Sequence, residues 1–179
     1  APFQILLAKA AAIRTYDPNK IITTVGYDSS QVDSPDSLYI NLPSLEPTEL
    51  TEVWLARDKL VSGTDGEIEF RKNNELLFGK ICLDESQFDS FEQCSNYAYT
   101  SILNFINKKE FPHLIRIWNF FSNINQVCGS LERYQSFCVG RYNALQDVTE
   151  FERLLPAATA IGTGSGKFII YFIATAKAG

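Results

Sequence analysis

A chain of 179 residues with 45% hydrophobic and 21% charged side chains matches an ordinary folded domain, since chains divide at roughly 100–200 residues per domain. A formal net charge of −5, with no run of like charge, argues against a nucleic-acid surface, which needs a basic face. The longest apolar run, "FIIYFIATA" at residues 168–176, falls far short of the ~20 residues of a membrane-crossing helix, so neither nucleic acid nor membrane is an expected partner.

The N-terminus, "APFQILLAKAAAIRTYD", holds an apolar stretch but no basic leader and no small-residue cleavage pattern, which places the protein in the cytoplasm. "KIITTVGYD" and "SLYINL" are β-rich and flank "DSSQVDSPDS", a polar stretch with loop composition. "PSLEPTEL", with two prolines, crosses between strands. "LTEVWLA" predicts another strand. "EIEFRKNNELLFGKICL" predicts two more, joined across Asn73 and Asn74, because asparagine tolerates the left-handed backbone of tight hairpins.

The period then changes. Between residues 88 and 109, Phe91, Cys94, Ala98, Ile102 and Phe105 recur at helical spacing, and Lys108 and Lys109 complement the helix dipole at the C-terminal end. Pro112 forbids continuation. "HLIRIWNFF" is apolar on both faces apart from Arg116 and Asn119, as in a central strand covered on both sides. A second helix follows over "RYQSFCVGRYNAL", with Ser130 a candidate N-cap and Glu132 in its first turn. "ATAIG" and "KFIIYFIATA" predict two closing strands joined by a hairpin turn at "TGSG". The order of elements predicts an α+β fold, a mixed sheet with two α-helices packed on one face.

Few groups carry obvious chemistry. Cys82, Cys94, Cys128 and Cys138 lack a C-x-x-C pair and His113 is the only histidine, so no metal site is expected. All four cysteines sit in apolar patterns and read as buried free thiols. "GTGSGK" fails the phosphate-loop spacing and is flanked by strands on both sides.

The second helix stands apart. Wound at about 100° per residue, it gathers Tyr134, Phe137, Cys138, Arg141, Ala144 and Leu145 on one arc, with Gln135, Ser136, Asn143 and Gln146 opposite. Arg141 therefore faces the apolar side, and a permanently charged guanidinium there needs an anion. Two sources stay open: an internal carboxylate such as Glu132, Glu150 or Glu152, or a bound ligand gripped by the guanidinium fork. Gly140 costs about 1 kcal/mol in a helix relative to alanine, which suits close approach of another backbone or a ligand. No residue stands out as a general acid or nucleophile.

At these residues a resemblance enters. From about Leu76 onward, "ELLFGKICLDE", "HLIRIWNFF", "LPAATAIG" and "FIIYFIATA", with the two helices between them, resemble the small trimeric YjgF/RidA-type fold. More closely, "HLIRIWNFFSNIN", "ERYQSFCVGRYNAL" and "PAATAIG", in that order, are similar to the N-terminal half of the chorismatases, long labelled pteridine-dependent dioxygenase-like proteins. The likeness covers the last 70 residues well and the first 75 loosely. It implies a YjgF-like core at residues 76–179 and, in the same domain, a β-rich N-terminal extension at residues 1–75. A second, C-terminal catalytic domain is then missing.

Chorismatases hydrolyse the enol ether of chorismate to pyruvate and a dihydroxycyclohexadiene acid or 3-hydroxybenzoate. The resemblance implies that the proton for the methylene carbon comes from a glutamate of the C-terminal domain, so no catalytic residue is expected in this chain. Substrate binding is assigned to Arg133, Tyr134, Phe137 and Arg141, with Arg116 behind them, and no cofactor or metal is implied. The implied partners are chorismate or another small carboxylate and the C-terminal domain, and the superfamily allows a homotrimer. Two alternatives stand beside this: a non-catalytic YjgF-like module that binds a small carboxylate or serves assembly, and an imine deaminase. Deaminases of this superfamily use an arginine in a "PARS" or "PART" motif, whereas this chain reads Pro156-Ala157-Ala158-Thr159.

Overall fold

The computed structural model describes residues 2–27, 37–42, 50–146, 148, 155–164 and 166–177. In chain order the elements are β1 (Phe3–Lys9), α1 (Ala10–Ile13), β2 (Ile21–Tyr27), β3 (Ser37–Ile40), β4 (Leu50–Ala56), β5 (Val61–Asp65), β6 (Ile68–Lys72), β7 (Leu76–Leu83), α2 (Phe91–Lys108), β8 (His113–Ser122), β9 (Val127–Cys128), β10 (Leu131–Glu132), α3 (Arg133–Leu145), β11 (Ala157–Thr163) and β12 (Phe168–Thr175). The expected α+β arrangement is present. A six-stranded mixed sheet, ordered β11-β8-β12-β7-β6-β5, carries α2 and α3 on one face.

The strand β8 shows why its sequence is apolar throughout. Ile117 and Phe121 pack with Phe91, Cys94, Ala98, Ile102 and Phe137 on the helix side. Phe120 and Trp118 enter a second core with Trp54, Phe78 and Tyr171. That second core is closed by a four-stranded sheet, β1-β4-β2-β3, so the molecule has three layers. Trp54 sits at its centre, 5.1 Å from Trp118 and 5.9 Å from Tyr171 in edge-on contacts that aromatic quadrupoles favour.

Helix α2 begins where Ser90 accepts from the Gln93 amide at 3.1 Å and Gln93 Oε1 accepts from the Asp89 amide at 2.9 Å. At its other end, Lys108 and Lys109 do more than face the dipole. Their ammonium groups lie 2.9 and 2.8 Å from Asp65 Oδ2, and Lys109, then Lys108, hold that carboxyl below its usual range. The helix end is thereby tied to the β5–β6 turn.

The structure departs from the sequence-based expectations at several points. Strands β1 and β5 and the single turn α1 were not legible: "FQILLAK" lacks the strict alternation of a half-buried strand, and its pairing with β4 from Phe3↔Ala56 to Lys9↔Leu50 makes it one. β11 and β12 do not form a hairpin, because β8 lies between them, parallel to β11 and antiparallel to β12. Asn73 does not adopt a left-handed backbone. It shapes its turn by accepting from the amides of Glu75 and Leu76, each at 2.9 Å.

The N-cap of α3 is Glu132 rather than Ser130, since Leu131 and Glu132 first pair with Cys128 and Val127. Of the cysteines, only Cys94 is buried. Cys82 and Cys128 are exposed and Cys138 is half-buried. The "DSSQVDSPDS" and "PSLEPTEL" loops lie outside the described residues apart from Ser37 and Leu50.

Candidate functional site

The site is built on α3, and two sets of bonds fix where that helix starts. Gln135 Oε1 accepts from the Glu132 amide at 2.9 Å. The amides of Arg133 and Tyr134 donate to the carbonyls of Gln126 and Ile124 at 2.9 and 3.0 Å. The helix then lies against α2 at Gly140. A Cβ built there would run into the Glu92 carbonyl oxygen and stand 3.0 Å from the Asn96 amide nitrogen. The glycine is thus explained by a neighbouring backbone. Asn96 Nδ2 and Asn143 Nδ2 add long bonds across the same contact, to the Gly140 carbonyl and Glu92 Oε1, both at 3.4 Å.

The five candidate residues separate into different environments. The guanidinium of Arg133 meets an internal carboxylate, Nη2 to Glu85 Oε2 at 2.7 Å. Its Nε donates to the Ser122 carbonyl at 3.0 Å, and its Cζ lies 4.2 Å from the centre of the Phe91 ring. Phe137 is buried in the core, 5.2 Å from Phe121 and 6.0 Å from Tyr99. The stripe that α3 buries is Phe137, Gly140 and Leu145. Tyr134, placed on the apolar arc by the helical wheel, is 45% exposed. Its hydroxyl is raised by neighbouring Cys138, through charge and then through a hydrogen bond.

Arg116 stands on the far side of the six-stranded sheet. Its guanidinium lies 5.0 Å from the Trp118 ring centre and donates to Thr159 Oγ1 over a long 3.4 Å. Arg116 and Arg141 therefore do not share a pocket.

Arg141, the other arginine of α3, meets a ring rather than a carboxylate among the described residues. It is half-buried, with its Cζ 5.7 Å from the Tyr99 ring centre. Its Nε is shielded from solvent and bonded to nothing, and no carboxylate among the described residues pairs with it. Glu132 accepts nothing from it. Glu150 and Glu152 lie outside the described residues. A buried donor left unmade costs about 1–3 kcal/mol.

Beneath Arg141 lies a polar relay that the helical pattern did not single out. The Tyr99 hydroxyl, in a side chain 1% exposed, donates to Asn119 Oδ1 at 3.0 Å, and Asn119 Nδ2 donates to the Thr159 carbonyl at 2.9 Å. Burial pushes the Tyr99 hydroxyl up to about 12 against the opposing charge of Arg141. The relay locks the ring under the guanidinium and ties α2 to β8 and β11. The signal available beforehand was Asn119, one of two polar residues in an apolar strand. Tyr99→Phe should leave Asn119 Oδ1 buried without a donor and lower stability by about 1–3 kcal/mol, read as a fall in melting temperature with β-sheet content retained.

No group of three or more potential metal ligands occurs among the described residues, and no helix among them is long and apolar enough to cross a membrane. The carboxyls of Asp17, Asp65 and Asp84 are all held below the usual range. For Asp17 and Asp84 the leading causes are the Asn19 amide and the Ser86 hydroxyl. That direction is opposite to what a proton donor near neutral pH requires.

Residues 52–174 match the family described as chorismatase FkbO/Hyg5-like, N-terminal. A chorismatase of Streptomyces hygroscopicus is 32% identical over 148 residues, which cover 82% of this chain and 42% of that protein. A 3-hydroxybenzoate synthase of the same organism is 28% identical over 148 residues, covering 79% and 42%. A chorismatase crystal structure superposes with a TM-score of 0.84 at 26% identity, covering 99% of this chain and 55% of that one. The chain thus spans less than half the length of the curated relatives it matches.

Proposed function

The chain belongs to the FkbO/Hyg5-like chorismatase family, and from that premise we propose that it serves as the N-terminal half of a hydrolase that cleaves the enolpyruvyl ether of chorismate. The products are pyruvate and a dihydroxycyclohexadiene acid or 3-hydroxybenzoate, and the half is inactive alone. Cleavage of an enol ether begins with a proton delivered to the methylene carbon, a task for a carboxylic acid with a raised pKa.

The observation that carries the substrate side is Arg141, whose Nε has no acceptor. Chorismate is a dianion built on a ring, and an arginine beside an exposed tyrosine offers charge and an aromatic edge to it. Arg141 and Tyr134 are therefore assigned to the anion. Arg133 and Phe137 hold the helix that presents them, and Arg116 is left out because it faces away. The alternative of a binding module without catalysis rests on the same arginine. Imine deamination is disfavoured by Ala158, which supplies no charge where that chemistry uses an arginine.

The test is chorismate consumption with release of pyruvate, measured for the complete reading frame in which this chain lies and for the 179-residue chain beside it. Turnover by the complete protein and none by the chain alone is the expected result. Carboxylate binding without turnover by the complete protein would select the binding module instead.

A further inference from the structure

The end of the six-stranded sheet formed by β11 has features of a surface made to be covered. β11 pairs with β8 alone, so its outer backbone groups have no strand beside them among the described residues. Natural sheets protect such edges with charges, prolines, bulges or short strands. The strand "AATAIGT" has none of these over seven residues. Of the other edges, β5 closes on Asp65, held by Lys108 and Lys109, and β3 is only four residues long, while β1, with Ile5 and Leu7 exposed, carries a charge only at its last residue, Lys9.

A second, independent feature lies at the same end of this strand. Arg116 is registered beside Ala157, exposed, stacked on Trp118 and without a carboxylate partner among the described residues. In the adjoining chain positions Ile115 and Leu155 are exposed apolar side chains, each at 45%, and Ala157 and Ala158 are exposed as well. An unguarded strand edge, an apolar border and an unpaired cation together describe one partner: an extended segment that adds to the sheet through its backbone and brings a carboxylate opposite Arg116.

We propose that the outer edge of β11 receives a β-strand from the C-terminal half of the enzyme, with an acidic side chain of that strand paired to Arg116. This rests on the two-half reading given above and names the surface through which the halves meet. A second copy of this chain fits less well. Antiparallel pairing of two β11 strands would set Ala157 of one opposite Thr163 of the other, and Thr163 is flanked on β8 by Ser122, so Arg116 would gain no carboxylate.

Hydrogen–deuterium exchange of residues 157–163 tests the proposal, with the complete protein and the 179-residue chain measured side by side. The β11 amides should exchange at least tenfold more slowly in the complete protein, and Arg116→Glu should abolish most of that protection. Arg116→Gln, which removes the charge without reversing it, should give an intermediate loss and serves if the reversal unfolds the chain. Equal exchange in the two proteins would overturn the proposal. So would protection in the 179-residue chain that appears only when it sediments as an oligomer, because a second copy would then occupy the edge. Protected β11 amides in a complete protein that does not consume chorismate would refute the proposed reaction and leave the surface standing.

Discussion

Gly140→Ala should lower the melting temperature of the chain by roughly 5–10 °C, the equivalent of about 2–3 kcal/mol. Helix propensity alone predicts the opposite sign, because alanine in place of a helical glycine gains about 1 kcal/mol. The contact decides between the two effects. The added methyl would collide with the Glu92 carbonyl and meet the Ser95 Cβ at 2.8 Å and the Asn96 nitrogen at 3.0 Å. Two of these are backbone atoms of α2 that cannot swing aside, so the helices must separate. Separation would strip packing from Phe137 and lengthen the bonds that Asn96 and Asn143 make across the contact. A thermal melt checks it, and an unchanged or higher midpoint would mean that α2 and α3 do not approach as closely as described.

That glycine also marks how far the residues could be interpreted before the fold was known. Its helical setting said that something comes close, but a backbone and a ligand impose the same demand, and only the position of Glu92 separates them. The two long helices were legible from apolar residues at helical spacing, and β8 from an apolar run ended on one side by Pro112. β1 was not, because its partner β4 lies more than forty residues away and "ILLA" fits helix and strand alike. The false hairpin between β11 and β12 has the same origin. Short sequence separation favours adjacency, and the insertion of β8 depends on long-range pairing that no local signal carries.

The site followed the same logic. Arg133, Phe137 and Arg141 fall on neighbouring positions of one helix, yet their partners, Glu85, Phe121 and Tyr99, come from three other segments. Which arginine is already neutralised is therefore a tertiary fact.

The pair Arg133→Ala and Arg141→Gln turns that fact into an experiment. Arg133 and Glu85 have side chains only 13% and 24% exposed and meet at 2.7 Å. Glu85 Oε1 is already buried without a donor, so removing the guanidinium strands the whole carboxylate. Breaking a buried pair costs about 3–5 kcal/mol, and partial exposure reduces this to about 2–4 kcal/mol. The Phe91 ring loses its cation as well. Arg141→Gln breaks no ion pair among the described residues, and the melt should move by less than about 1 kcal/mol. Its effect should fall on the anion instead: loss of a charge-assisted hydrogen bond worth about 1.5–3 kcal/mol lowers kcat/KM for chorismate in the complete protein by roughly 10- to 100-fold. Stability lost at Arg133 and turnover lost at Arg141 would separate the arginine that serves the scaffold from the one that awaits a ligand. Equal destabilisation by both would show that Arg141 has an internal partner too, and the case for an anion site on α3 would fall with it.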